Sequence, residues 1–161
     1  MIHLAPEDFG HALSDLFVES INQLMNAQTK NSDIEMLLLN VITEFTRKWP
    51  NIAGSHDVKF NRRGFIYHLL KNIESSNKLL LIRKSDGALA KVCLIFDKEN
   101  FEFLFNEKEL GLLNFIRKHR NSNDEDGLKQ LRNGMMSLAH VVKGSNPEMK
   151  PWAREISFMC I

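Results

Sequence analysis

Only two of the 161 residues are cysteine, four are proline and one is tyrosine. Cys93 and Cys160 both sit in apolar runs, so no disulfide framework is expected; they read as small buried hydrophobes in a reduced, cytoplasmic chain. No apolar run approaches the length of about 18 residues that a membrane helix requires; "MLLL" and "VCLIF" are core-sized. The opening "MIHLAPEDFG" has neither the basic start nor the apolar stretch of a signal peptide. HExxH, CxxC and any i, i+4 pair of histidines are missing, and no two glycines are close enough for a phosphate-cradling loop. No metal or cofactor is therefore expected. "SHD" at residues 55–57 holds the letters of a catalytic triad, but a triad is a spatial arrangement, and turn chemistry explains this tripeptide.

What is present is an ordinary globular composition, 43% hydrophobic and 25% charged, long enough for one domain spanning residues 1–161 with its own core. The net charge of +1 conceals a strong asymmetry. Residues 1–46 hold seven acids against Lys30, about −6, whereas residues 47–84 hold nine Lys and Arg against Asp57 and Glu74, about +7. Such clustering bears on partners and not on fold.

Hydrophobic periodicity predicts a first helix from about Glu7 to Gln28, with Phe9, Leu13, Leu16, Phe17, Ile21 and Leu24 on one stripe and Asp15 and Glu19 opposite. Ser32 and Glu35 read as a capping box opening a second helix that stops at "RKWP". A third helix is expected from about Asn61. "KLLLIRKSDGALAKVCLIFD" then reads as two strands joined at Asp86-Gly87, a pair suited to a tight hairpin turn. "NFEFLF" continues as a third strand with Phe101, Phe103 and Phe105 on one side, and "REISFMCI" as a C-terminal strand. Two more helices lie between, one ending in "IRKHR" and one opened by "NDED" and closed by Lys143-Gly144. The expected class is α+β: about five helices on a small, mostly antiparallel sheet.

Three functional readings follow. The first is a non-catalytic binding module. Arg47, Lys48, Lys59, Arg62, Arg63 and Lys71 would form a basic face, with Tyr67 and Trp49 available for stacking. Its partner would be nucleic acid or an acidic protein surface. The second rests on "LRNGMMSLAH", residues 131–140. This stretch resembles the arginine–histidine motif of HEPN-family ribonucleases, in which an Arg followed by a polar residue precedes a His by four to six residues. The resemblance implies metal-independent RNA cleavage near a dimer seam in a helical bundle, with Arg132 and Asn133 opening the motif and His140 as acid or base. It covers ten residues; seven intervene here, and the expected meander does not belong to a bundle. The third reading is a protein-directed inhibitor or adaptor acting through Asp15 and Glu19. An acidic first helix and a basic middle can also pair copies of the chain into a homo-oligomer.

Overall fold

The computed structural model describes residues 6–26 and 31–161, and among these there is no strand. The chain is all-helical, so the expected α+β class is corrected, together with its hairpin, its third strand and its C-terminal strand. Among the described residues there are ten α-helices where about five were expected: α1 Pro6–Ala12, α2 Ser14–Met25, α3 Ser32–Lys48, α4 Pro50–Ala53, α5 Arg62–Ser75, α6 Leu79–Val92, α7 Lys98–Asn106, α8 Leu112–His119, α9 Glu125–Gly144 and α10 Ala153–Met159. Short 3-10 turns cover Cys93–Ile95 and Pro147–Trp152.

The segment read as a hairpin is α6. Its buried side chains, Leu81, Ile82, Ser85, Asp86, Ala88, Leu89 and Val92, recur at helical spacing, which is one face of a helix and not of a strand. Leu, Ala, Arg and Lys dominate it, and only Ile82 and Val92 are β-branched, so intrinsic preference also favours the helix. Asp86-Gly87 turns nothing: no glycine described here has positive φ. A Cβ built on Gly87 meets no atom within 4 Å. Gly87→Ala should therefore stabilise the fold by about 0.5–1 kcal/mol, because it restricts the unfolded chain at no steric cost. Thermal melting reads this as a rise of about 2–4 °C; a lower melting temperature would contradict a helix through residue 87.

The other strands fail for the same reason. Phe101 and Phe105 are buried one turn apart in α7, whereas Phe103 is half-exposed. In α10 and the turn before it, Trp152 and Ile156 are buried and Phe158 is exposed. Cys160 is exposed too, so only Cys93 is the buried thiol expected, and burial pushes that thiol's pKa upward.

Helix ends follow side-chain chemistry. Asn31, not Ser32, caps α3 by accepting from the Asp33 backbone amide, and Glu35 turns instead toward α5. Asn61 caps α5 as expected, Asp97 and Asn100 form the capping box of α7, and Asp124 caps α9. The predicted first helix is broken at Leu13 into α1 and α2, and its expected end at Gln28 lies outside the described residues.

Helix α6 is central, packing on α3, α5 and α9. Lys78 Nζ donates to Ser32 Oγ at 2.6 Å and Lys84 Nζ to Asn40 Oδ1 at 2.9 Å, so α3 and α6 run in the same direction. His140 pairs with Asp86, and Gly144 lies against the Ala90 carbonyl, so α9 runs parallel to α6 as well. Phe17 stacks on Phe45 at 4.6 Å between α2 and α3, while Phe101, Phe105 and Trp152 fill the other end. The outcome is a parallel trio, α3–α6–α9, in which α3 packs on α2, α6 on α5 and α9 on α8.

Candidate nucleic-acid interface

The basic residues singled out between Arg47 and Lys71 do not share one surface groove. Arg47 is bound to Glu44 at 2.7 Å along its own helix, and each perturbs the other: Arg47 holds the Glu44 carboxyl below its usual range and is itself raised by it. Lys48 lies over the Trp49 ring, and Lys59 lines a groove with Asp15, Glu19 and Asp57. Arg62 is half-buried and donates to the carbonyls of Ile95 and Gly54. Arg63 approaches Glu99 at 3.4 Å above Phe103. Tyr67 and Lys71 border a different cleft, with the Tyr67 hydroxyl near Glu109; desolvation, then the Glu109 and Glu107 carboxylates, push its pKa up. These contacts answer several of the cations from within the chain. They also place the acids Asp15 and Glu19 opposite Lys59 inside one molecule.

A denser basic surface lies on α6 and α9. Residues 78–91 carry Lys78, Arg83, Lys84 and Lys91, and residues 127–147 carry Lys129, Arg132 and Lys143. Against these seven cations stand Glu125 and Asp126 in the first turn of α9 and, facing α9 from α6, Asp86. Its side chain is 8% exposed, and Oδ2 is engaged by His140 Nδ1. The acid is thus withdrawn from the surface, while Arg83, Lys129, Arg132 and Lys143 are exposed. None of these four carries an ion pair among the described residues.

Compared with family models, curated proteins and solved structures, the chain matches none. The site therefore stands on its own geometry.

Arg83, Asp86, Arg132, Asn133 and Ser137 line a narrow cleft between the two helices, with Leu79 and Met136 at its mouth. Its volume of about 30 Å³ has room for a water molecule and no more, so a ligand here must lie across the helices. Asn133 and Ser137 are buried on the α6 side of α9, and Asp86 Oδ1 is buried without a partner. His140 is half-exposed: Nδ1 is held by Asp86 while the rest of the ring reaches solvent. Eight residues separate it from Arg132, a rise of about 12 Å. Lys143, three residues on, is the cation nearest to it along the helix, about 4.5 Å of rise away.

The α6–α9 face is hidden in the sequence because residues 78–97 show the alternation of two strands, which scatters Arg83 and Lys84 to different sides. The available signal was the lack of any acid between Gly127 and Pro147. Among the described residues no three His, Cys, Asp or Glu side chains gather as metal ligands, and no helix is long and apolar enough to cross a membrane.

Proposed function

We propose that the chain is a nucleic-acid-binding module whose contact surface is the basic face of α6 and α9. The observation that carries this is that Arg83, Lys129, Arg132 and Lys143 are exposed on these two helices with no ion pair among the described residues, while Asp86 between the helices is buried and engaged by His140. Phosphates crossing the face would meet Arg83 and Arg132 at one end and Lys143 at the other. Arg can grip a phosphate through two parallel hydrogen bonds. Binding that rests on phosphate contacts weakens steeply with salt. In a fluorescence anisotropy titration with a labelled single-stranded 20-nucleotide RNA, Arg83→Glu plus Arg132→Glu should weaken binding about ten-fold or more at low salt. The slope of log K against log salt should fall by about 2. Unchanged affinity would refute the face, and both residues are exposed, so folding should survive.

A second reading is favoured by the Asp86–His140 pair. A carboxylate holding one ring nitrogen fixes the imidazole's orientation and leaves the other nitrogen free for proton transfer. On RNA, that nitrogen would accept the 2′-hydroxyl proton as O2′ attacks the adjacent phosphorus. The 5′-oxygen then leaves and takes up a proton, giving a 2′,3′-cyclic phosphate and a 5′-hydroxyl. Lys143 would offset charge on the phosphoryl oxygens, and Arg132 would hold a phosphate further along the strand. This agrees with the metal-independent cleavage implied by the HEPN resemblance, and a helical chain removes the conflict of fold. It differs in giving His140 an acid partner from α6. Cleavage of the same RNA in the presence of chelator, ending in cyclic phosphate and lost in folded His140→Ala, is the expected result; cleavage that persists in that variant would end the reading.

A further inference from the structure

Tyr67 and Lys71 take no part in the α6–α9 face. They line a separate cleft of about 540 Å³, walled by the end of α2, by Glu35 of α3 and by one face of α5. Its polar wall is tied together within the fold. Glu35 Oε1 accepts from His68 Nε2 at 2.7 Å and from Asn72 Nδ2 at 2.9 Å, and Asn72 Nδ2 also donates to Ser85 Oγ of α6 at 3.1 Å. Ser85 is fully buried, and the Glu35 and His68 side chains are 15% and 24% exposed. Three helices therefore fix the carboxylate and the imidazole with no ligand present. A carboxylate can only accept, so Nε2 carries the ring hydrogen and Nδ1 of the neutral ring is an acceptor. Neither Nδ1 nor Glu35 Oε2 makes a hydrogen bond among the described residues, and neither is shut off from solvent.

Lining and size together select the occupant. Lys71 is the one Lys or Arg among the described residues that line the cleft, and it suits a single anionic group. Two acceptors without donors, Glu35 Oε2 and His68 Nδ1, suit a pair of hydroxyls. Leu24, Met25 and the half-exposed Tyr67 ring suit an apolar or flat body. A free amino acid also carries an anion, a donor and an apolar part. With roughly ten non-hydrogen atoms, however, it would leave most of the space empty, since cavities of about 300–1,000 Å³ take drug-sized ligands. A nucleoside monophosphate has roughly two dozen such atoms and supplies every group: phosphate for Lys71, ribose hydroxyls for the acceptors, a base for the ring. We infer that the cleft between α2, α3 and α5 is a binding site for a free nucleoside 5′-monophosphate. None of the residues lining it belongs to α6 or α9, so it stands apart from the nucleic-acid reading.

The test is isothermal titration of the full chain with adenosine, guanosine, cytidine and uridine 5′-monophosphates. At least one should bind with a Kd below about 1 mM, and its nucleoside and its 2′,3′-dideoxy form should each bind about ten-fold more weakly. Lys71 is exposed, so Lys71→Ala should fold normally and weaken binding about ten-fold. Glu35→Gln, which keeps an acceptor for His68 and Asn72 but replaces Oε2 by a donor, should do the same. Arg83→Glu plus Arg132→Glu should leave the affinity unchanged, and so should a saturating amount of the 20-nucleotide RNA. No binding of any of the four below about 1 mM overturns the inference, as does affinity indifferent to Lys71→Ala or equal for the nucleoside. Loss of binding in the arginine double variant, or displacement by RNA, also overturns it, by making the nucleotides of a strand the true occupant.

Discussion

Replacing Gly144 by alanine should cost about 2–3 kcal/mol, a fall of roughly 5–10 °C in melting temperature. A Cβ at this position would run into the carbonyl oxygen of Ala90, a backbone atom of a different helix. A flexible side chain could turn away, but a carbonyl in the last turn of α6 cannot move without carrying the helix with it. The glycine is needed for the close approach and not for its dihedral freedom, since its φ is not positive. That approach sets how near the last turn of α9 comes to α6, and hence the position of Lys143 relative to Asp86 and His140. Gly144→Ala should therefore also weaken RNA binding at a temperature where the variant is still folded. Gly87→Ala, on α6 with open space around it, is the natural control: it should move the melting temperature upward in the same assay. If both substitutions prove neutral, the parallel packing of α6 on α9 is wrong at this end.

Where the sequence was legible, the signal came from helix ends and long stripes. Asn61 before α5 and Asp124 before α9 each accept from a backbone amide that a helix end leaves unpaired, and this chemistry is local; the expected Gly144 cap is instead the last residue of α9, whose C-cap is Ser145. It failed where a short segment satisfied two periods at once. In "SDGALAKVCLIFD", Ala88, Ala90, Val92, Leu94 and Phe96 alternate as a strand face would, yet Ala88, Leu89 and Val92 also fit a helix, and only packing against α3, α5 and α9 decides between them. The Asp-Gly pair tipped the reading toward a turn. In the structure Asp86 serves tertiary contact, with its partner 54 residues away on α9. The charge block at 47–84 was visible from counting, but its location was not. Arg47 and Arg63 lean on acids of α3 and α7, while Arg83, at the edge of the same block, joins Arg132 and Asn133 of α9.

The largest energetic consequence of that joining falls on His140. In His140→Ala, Asp86 keeps a carboxylate that is 8% exposed, with Oδ1 already unpartnered and Oδ2 newly so. Leaving a buried charged acceptor without its partner costs about 3–5 kcal/mol in a closed interior. Here the ring being removed is half-exposed, so water can enter the space it leaves, and about 2 kcal/mol is the expected loss. The decisive measurement is a double-mutant cycle by urea unfolding. Asp86→Ala removes the carboxylate and its orphaned oxygen together and places a better helix former inside α6. Asp86→Ala plus His140→Ala should therefore be more stable than His140→Ala alone, with a coupling of about 1–2 kcal/mol. Additive losses would mean that the two side chains do not interact, and His140 would then lack the oriented imidazole on which the cleavage reading depends. A measured coupling, with RNA affinity little changed in Asp86→Ala, would divide the roles on this face: the cations hold the strand, and the buried carboxylate holds the histidine.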